Sequence, residues 1–522
     1  MARRFAIDRL SRLVSEIKRL RYRRRLPLGE WEIAPAKGSE GRWKSIRVGE
    51  MWGGRGQRYR FRREISIPKE WEGETVCLRL WLGDPRAPTA PEGLLYLDGQ
   101  PFQGVDRHHD EVLLTEAARS GEVHQVLLDL WSGMDSGPHR FALAELAVLD
   151  AEADAFYFDA RVALQVAEVL DPNDLRRGQI LNGLESALLQ VDFREPFSEA
   201  FYRSLATARR MLQEQVYLPG EPNRARVHCV GHAHLDVAWM WTLAQTRLKA
   251  GRTFATALEL MDRYPDFHFT QSQPQLYLFV KEDYPELYER VKARVKEGRW
   301  EVTGGMWVEA DCNIPSGESL VRQLLYGRRF FQREFGADGH ILWLPDTFGF
   351  NGALPQLIAR AGLRYFMTTK LSWNEYNRFP YDSFRWRGID GTEVLTHFIT
   401  TPCEQRYQTY NGDLGPAAVH GCWREYRQKR EHGEVLLAFG HGDGGGGPTR
   451  DMVEAARRLR DLAGVPLVTL GRAEDFFQRL EADAEKLPVW VGELYLEYHR
   501  GTYTSQARVK RHNRKSEILY HQ

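Results

Sequence analysis

The sequence predicts a multidomain protein, α/β plus all-β: an N-terminal β-sandwich, a central barrel-like α/β domain with a parallel sheet, and the start of a helical bundle. Three observations support this fold class. The 522 residues exceed what a single hydrophobic core supports, so about three domains are expected. Short alternating segments fill residues 31–155. Strand-like and helical segments then alternate over residues 225–480.

The first segment, residues 1–30, is predicted to be a basic helix. Its apolar residues recur at helical spacing from Leu10 to Leu20, and arginines and lysines crowd the other face. Such a helix either lies on an anionic membrane or docks by its apolar stripe onto the rest of the protein. Docking is the favoured interpretation, and the helix is given no catalytic role.

A β-sandwich is predicted over residues 31–155, where short alternating runs are separated by turns such as Asp98-Gly99. Its aromatic side chains either line a sugar-binding groove or fill the core, and the core is favoured. Residues 156–224 then carry apolar residues three and four positions apart, which predicts a linker of helices.

The repeated βα alternation of residues 225–480 predicts a parallel sheet, and the loops at the carboxyl ends of its strands are expected to form one site. Residues 481–522 add a strand-like piece and a helix, the start of a helical bundle. An amphipathic helix needs partners that bury its stripe. It therefore either packs back on the α/β domain or belongs to a longer protein whose C-terminal domains this chain lacks.

Charge and cysteine usage exclude several classes of protein. Lysine plus arginine (72) nearly equals aspartate plus glutamate (71), so no nucleic acid partner is expected. The five cysteines are scattered without a C-x-x-C pair, which indicates neither a disulfide framework nor a thiolate zinc site. No secretory signal or membrane-spanning apolar run occurs. A cytoplasmic protein without a membrane partner is predicted, and the sequence leaves open whether it forms a homo-oligomer.

The most informative stretch is Val227 to Trp241, where an apolar run stops at Gly231 and is followed by His234 and Asp236. The pattern is typical of a buried strand that ends where α/β folds place their ligands. The two polar side chains share one face of an extended chain, and an imidazole with a carboxylate suits a divalent transition metal. Taken alone, such residues are more often a hydrogen-bonded pair that orients a loop.

Further segments that join an apolar run to a glycine-bearing turn favour the metal interpretation: GGMWVEAD, WLPDTFGF and FGHGDGGGGP. In them, Asp311 is the candidate that completes the metal set, and His441 is the candidate fourth ligand. Two histidines with two aspartates favour zinc or another divalent transition metal over calcium. The glycine run after His441 lacks the G-x-x-x-x-G-K-[ST] pattern, so a phosphate cradle is not indicated. Trp239, beside the acids, either stacks on a sugar ring or belongs to the core.

Five motifs carry a resemblance to a known family: HAHLDVAW, GGMWVEADCNIPSGES, WLPDTFGFNGALPQ, GHGDGGGGPT and HRGTYTSQA. Over nearly its whole length the sequence resembles glycoside hydrolase family 38, the α-mannosidases, and in particular the cytosolic and bacterial branch. The resemblance implies a retaining, zinc-dependent exo-glycosidase that hydrolyses terminal α-mannosyl residues of oligosaccharides. It also implies C-terminal β domains after the helical bundle, which this chain is expected to lack.

The family's residue roles carry over to matching positions. His234 and Asp236 match its first two metal ligands, and Asp311 matches the aspartate that binds zinc and acts as the nucleophile. Trp239 matches the aromatic residue beneath the sugar ring. Two acids match residues that contact sugar hydroxyls or support the site: Asp346 and Asp443.

Two of these assignments leave alternatives open. Other branches of the family carry His-His-Asp where this chain has His441-Gly442-Asp443, so either His441 binds metal across a shifted loop or one ligand is missing. Glu309 is the rival nucleophile, because on an extended loop it faces the same side as Asp311. The family match alone favours Asp311.

The general acid is the remaining role. A retaining glycosidase places a carboxylic acid roughly 5 to 5.5 Å from its nucleophilic carboxylate. The resemblance puts this acid after the strand at residues 393–401, where Glu404 and Asp413 are the candidates. Two other functions stay as alternatives: a catalytically inactive carbohydrate-binding protein, and a metal-dependent polysaccharide deacetylase. The deacetylase interpretation does not account for GGMWVEAD or GHGDGGGG.

Overall fold

The computed structural model describes residues 2–37, 42–84, 90–134, 137–217, 225–337, 339–403, 407–460 and 462–521. Helix α1 (Ala2–Leu20) opens the chain. Its stripe residues Leu10, Val14 and Ile17 are buried in one core with residues of a later helix, α2 (Ala151–Val169). The helix is therefore docked by its apolar stripe, the arrangement that the sequence favoured.

The predicted β-sandwich is confirmed. Two antiparallel sheets have the strand orders β1-β12-β6-β9 and β3-β2-β5-β10-β7-β8, and β4 pairs with β11. The strands are β1 (Tyr22–Pro27), β2 (Glu30–Pro35), β3 (Lys44–Arg47), β4 (Met51–Trp52), β5 (Arg58–Ser66), β6 (Val76–Trp81), β7 (Glu92–Leu97), β8 (Gln100–Val105), β9 (Glu111–Thr115), β10 (Val123–Trp131), β11 (His139–Arg140) and β12 (Leu143–Leu149).

Alternation along the strands builds the sandwich core. In β5, Phe61 and Ile65 are buried on one face while most of their neighbours are exposed, the period-2 pattern of a half-buried strand. β1 extends the sandwich into the segment predicted to be a basic helix. Its sequence YRRRLP has no alternation of apolar and polar residues, and its strand conformation comes from pairing with β12.

Three helices link the sandwich to the rest of the chain: α2, α3 (Leu175–Leu188) and α4 (Glu199–Gln215). Each begins at a side chain that accepts a hydrogen bond from a backbone N–H of the first turn. These N-cap residues are Asp150, Asp174 and Ser198. The cap positions show why the helices start where they do.

The α/β domain contains parallel strands in two sheets, with the orders β15-β14-β13-β20 and β16-β17-β19-β18-β22; β21 also pairs with β13, and β18 is antiparallel to β19. Its strands are β13 (Arg226–His232), β14 (Phe269–Gln271), β15 (Trp300–Val302), β16 (Ile341–Trp343), β17 (Tyr365–Thr368), β18 (Ser383–Arg387), β19 (Glu393–Phe398), β20 (Glu434–Phe439), β21 (Leu467–Leu470) and β22 (Val489–Val491). The parallel α/β prediction is confirmed, and its strands divide between two sheets.

Helices accompany these strands and follow them. They are α5 (Leu243–Arg263), α6 (Pro274–Asp283), α7 (Pro285–Lys296), α8 (Gly317–Phe335), α9 (Leu354–Arg360), α10 (Pro416–Glu425), α11 (Arg450–Leu459), α12 (Ala473–Glu481) and α13 (Ala507–His521). Within its range, α13 has no buried residue. Among the described residues, no helix is both long and apolar enough to cross a membrane. The five cysteines are all free thiols.

Candidate metal centre and active site

The predicted site segments follow strands from both sheets of the α/β domain. β13, β16 and β20 end shortly before His234, Asp346 and Asp443. Because β13 and β20 are parallel neighbours, their carboxyl ends share one edge of the sheet. The glycine loop, defined here as residues 440–448, approaches the segment after β13 so closely that a Cβ on Gly442 would lie 3.2 Å from the Cβ of His234.

Three side chains form a compact group at this edge: His234, Asp236 and Asp346. One ligand atom from each lies within 4.8 Å of the others. The Nε2 atom of His234 is 3.5 Å from Asp236 Oδ1 and 3.7 Å from Asp346 Oδ2. Within the described chain, neither Asp311 nor His441 belongs to this group.

The group fits a divalent metal ion. The Nε2 atom of His234 and the Oδ2 atom of Asp236 are buried and lack a hydrogen-bond partner among the described residues. Burial of unsatisfied polar atoms is costly, and an ion bound between them offsets this cost. One imidazole with two carboxylates is a mixed donor set that suits zinc and similar transition ions.

Negative charge also gathers around His234. Burial alone lowers the pKa of this imidazole, but Glu309 and Asp236 outweigh burial and raise the pKa well above its usual value. The Oε2 atom of Glu309 lies 2.8 Å from Nδ1 of His234, an ion-pair contact whose geometry is not that of a hydrogen bond. The carboxylates therefore create a site that attracts a cation.

Tyr410 lies between two of the predicted acids. Its hydroxyl is 2.7 Å from Asp346 Oδ2 and 3.0 Å from Asp443 Oδ1. A hydroxyl has one proton and donates to one carboxylate at a time. Lys370 Nζ contacts Asp346 Oδ1 at 2.7 Å, and Asn411 Nδ2 donates to Asp443 Oδ2 at 3.3 Å. Burial raises the pKa of Asp443, and the nearby Asp346 raises it further.

The two candidate nucleophiles have different surroundings. Glu309 is buried, contacts His234 and accepts a hydrogen bond from Ser272 Oγ at 2.5 Å. Asp311 is half-buried and accepts from the backbone N–H groups of Asn313 and Ile314, each at 3.1 Å. It also lines a cavity of about 820 Å³ between the start of α8 and α13. Asp311 therefore faces open space, whereas Glu309 faces the metal group.

His441 is held away from the metal group. Its ring stacks on His108 of the sandwich, with centroids 3.6 Å apart and planes at 14°. Burial lowers the pKa of His441 to about 3, so the imidazole is neutral. The structure thus does not bring His441 together with His234 and Asp236. Asp346 occupies the third position of the group instead.

The remaining predicted residues are placed as follows. Trp239 is 56% exposed and meets Trp241 edge to face, so its ring is available to a ligand. Asp413 is exposed and accepts from the backbone N–H of Gly415 at 2.9 Å. Glu404 lies outside the described residues.

Three residues of the site were not predicted: Lys370, Tyr410 and Asn411. Lys370 comes shortly after β17, so the same strand-end rule would have found it. Tyr410 and Asn411 follow β19 only after a long excursion, and no local pattern marks them.

Comparison with known proteins gives the family. Residues 224–493 match the family described as "Glycosyl hydrolases family 38 N-terminal domain", and residues 28–142 match "Alpha-mannosidase, jelly roll domain". The first match covers more than half of the chain. The chain belongs to glycoside hydrolase family 38.

Similar proteins include Alpha-mannosidase G of Dictyostelium discoideum, which is 38% identical over 92% of this chain and 44% of its own length. Alpha-mannosidase 2C1 of Homo sapiens is 36% identical over 92% of this chain and 46% of its own length. Alpha-mannosidase of Saccharomyces cerevisiae is 38% identical over 68% of this chain and 32% of its own length. The chain thus spans less than half the length of these relatives.

Proposed function

We propose that this chain carries the active site of a retaining, metal-dependent exo-α-mannosidase that hydrolyses terminal α-mannosyl residues of oligosaccharides. The observation that carries the proposal is the group of His234, Asp236 and Asp346, whose buried ligand atoms converge. The exposed ring of Trp239 stands three residues after Asp236 in the chain. Family membership and relatives named α-mannosidases support the substrate class.

His234, Asp236 and Asp346 would hold the ion, with zinc as the favoured metal. A divalent ion at this position supplies Lewis-acid and orienting chemistry toward sugar hydroxyls. Whether Asp311 is also a ligand, as the family resemblance implies, is decided by the metal content of the Asp311→Asn variant. His441 is left out of the proposed set because its ring stacks on His108.

Two groups beside the metal are proposed to bind the sugar. Trp239 offers an exposed flat face, the kind of surface on which a sugar ring stacks. Asp443 is fixed by Tyr410 and Asn411, so its carboxyl is oriented before substrate arrives. Preorganised acceptors lower the cost of binding hydroxyls in one pose.

Asp311 is proposed as the nucleophile. Its carboxylate is oriented by two backbone N–H groups and borders a cavity, whereas Glu309 is engaged with His234 and Ser272. Attack by Asp311 on the anomeric carbon would break the bond to the leaving oxygen, which takes up a proton from water and departs as the alcohol, and would give a covalent glycosyl-enzyme. Water then hydrolyses this ester with overall retention of configuration.

Release of nitrophenol from a nitrophenyl α-mannoside tests the proposal. Turnover that is abolished by a chelator and restored by added zinc supports it. Binding of mannose without turnover indicates the carbohydrate-binding alternative. Release of acetate from an acetylated polysaccharide without glycoside cleavage indicates the deacetylase. We further propose a cytoplasmic location, which the five free cysteines support.

A further inference from the structure

The glycine loop, which carries Asp443, contains few hydrogen bonds between its own residues. Gly444, Gly446 and Gly447 adopt positive φ angles of 82°, 95° and 86°, the left-handed region that glycine tolerates. Its internal backbone hydrogen bonds join His441 to Gly447 in both directions, at 2.9 Å each, and Gly445 to Gly442 at 2.9 Å. Glycine-rich backbone loses much conformational entropy when it is ordered. Contacts from outside the loop must therefore contribute to fixing it.

Residues 410–412 supply some of these contacts: Gly440 N–H donates to the carbonyl oxygen of Gly412 at 2.9 Å, and Gly442 N–H donates to Asn411 Oδ1 at 3.1 Å. Others come from the sandwich turn, defined here as residues 106–109 between β8 and β9. Asp106 is its centre. The Asp106 side chain is 6% exposed and accepts from the backbone N–H of His108 at 2.7 Å. It also pairs with Arg252 of α5. Arg252 is 1% exposed, and its guanidinium in turn donates to the carbonyl oxygen of Gly444. A buried charge pair thus connects the sandwich turn to the residue next to Asp443.

The two histidines of the turn make further contacts with the loop. His109 Nδ1 lies 2.9 Å from Asp106 Oδ1, and His109 Nε2 lies 2.9 Å from the carbonyl oxygen of Pro448. Because both neighbours are acceptors, both ring nitrogens carry protons and His109 is an imidazolium. His108 stacks on His441 at 3.6 Å. The start and the end of the glycine loop are therefore both held by the sandwich.

The same interface reaches the loop that presents Trp239. Glu92 of β7 accepts from Arg252 at 2.8 Å and pairs with Lys249. Lys249 is buried, and its ammonium lies 4.3 Å from the ring centroid of Trp241, which contacts Trp239 edge to face. Charges on the sandwich thus support both loops of the proposed sugar site.

We propose that the sandwich is a positioning element of the active site. Its turn 106–109, acting through Arg252 and His441, holds the glycine loop so that the carboxyl of Asp443 is aligned with the metal group and the sugar. This inference rests on the proposed function and adds a role for Asp106, His108, His109 and Arg252. None of these four residues touches the reacting atoms. They act on the reaction by fixing residues that do.

The test compares two ways of loosening the turn with a matched control. Asp106→Asn keeps the shape and removes the charge. His108→Ala removes the ring that stacks on His441, and His108→Phe restores a flat ring. The control Thr256→Val removes the hydrogen bonds of Thr256 Oγ1 with Gly104 N–H and with the backbone carbonyl of Arg252, each at 3.0 Å, and changes neither the Arg252 guanidinium nor a residue of the loop. Each variant is assayed for kcat and KM on nitrophenyl α-mannoside, for Tm, and for hydrogen exchange in peptides that cover residues 440–448.

We expect Asp106→Asn and His108→Ala to increase deuterium uptake in the glycine loop and to lower kcat by about 10- to 100-fold, the scale of a small misplacement of a reacting group. His108→Phe recovers both quantities. Thr256→Val lowers Tm and leaves loop exchange and kcat as in the wild type. Unchanged loop exchange overturns the proposal, and so does raised exchange with an unchanged kcat. If Asp106→Asn does not fold, the two His108 variants decide. If the wild type has no mannosidase activity, the proposed function fails and loop exchange alone decides whether the sandwich holds the loop.

Discussion

Two regions that we propose to serve the sugar site are built differently: the glycine loop, on the sandwich side, and the surroundings of Asp311, on the open side. On the sandwich side, the glycine loop is held by buried charges, and Arg252 is only 1% exposed. On the open side, Asp311 is oriented by its own backbone neighbours and lines a cavity bordered by α13, a helix without a buried residue. Ties from α13 to this side run through Glu517, which accepts from Ser316 N–H at 3.1 Å, and through Arg514.

The difference indicates that the two regions have different functions. Groups that bind a metal and orient hydroxyls gain from being rigid before substrate arrives, because ordering them later costs binding free energy. A carboxylate that forms and breaks a covalent bond needs access, and a half-buried position beside a cavity provides it.

The largest effect is expected on the open side. Asp311→Asn removes the proposed nucleophile, and kcat should fall by about 10⁴-fold or more, as when other enzymes lose a nucleophile. A fluorinated mannosyl trap followed by peptide mass mapping should label Asp311. Label on Glu309, or an inverted product by proton NMR, would show that Asp311 is not the nucleophile.

On the sandwich side, Trp239→Ala removes the exposed aromatic face. Substrate binding should weaken by about 1 to 3 kcal/mol, as for other aromatic residues at binding hot spots. Steady-state kinetics measures the change. Trp81→Ala, at an exposed tryptophan of the sandwich, is the control and should leave KM unaltered. If Trp239→Ala also leaves KM and kcat unaltered, Trp239 does not contact the sugar.

A smaller effect is expected from Tyr410→Phe, which removes the hydroxyl between Asp346 and Asp443. Transition-state stabilisation should fall by about 1 kcal/mol, the usual net contribution of one hydrogen bond. The ratio kcat/KM measures it. Tyr426→Phe is the matched control, because this buried tyrosine donates to Ser383 Oγ at 2.9 Å. Equal losses in the two variants would mean that the Tyr410 hydroxyl serves only stability.

The smallest effect is expected at α13. Glu517→Ala breaks the contacts to Ser316 and Ser319. The unfolding free energy should fall by less than about 1 kcal/mol, because the Glu517 carboxylate is partly exposed to solvent. Thermal unfolding beside the exposed control Arg511→Ala measures it. A large fall in kcat without a fall in Tm would show that the open side depends on α13 more than the contacts indicate.

The sequence predicted what periodicity and strand ends control. Alternation in segments such as β5 gave the sandwich, and βα repetition gave the parallel domain. The strand-end rule placed the segments that contain His234, Asp346 and Asp443 at the carboxyl ends of strands, and the family resemblance gave Asp346 and Asp443 their predicted roles. Sequence patterns did not predict β1, because its sequence YRRRLP becomes a strand only by pairing with β12. Nor did they predict the contact of Tyr410 with two acids, which joins positions 64 and 33 residues apart in the chain.

The orientation of the His441 ring could not be predicted from the sequence. His441 was a candidate ligand because of its place in the glycine run, but its direction is set by His108, more than 300 residues earlier in the chain. A partner that distant leaves no local pattern. The same holds for the pairing of Asp106 with Arg252.

The amount of bound metal per chain shows whether the site is organised around the group containing His234. Zinc content is measured by mass spectrometry on the wild type, on His234→Ala and on His441→Phe, which keeps a ring against His108. We expect about one zinc ion per chain in the wild type and in His441→Phe, as for a single catalytic site, and loss of zinc in His234→Ala. Full zinc in His234→Ala, or loss of zinc in His441→Phe, would contradict this expectation.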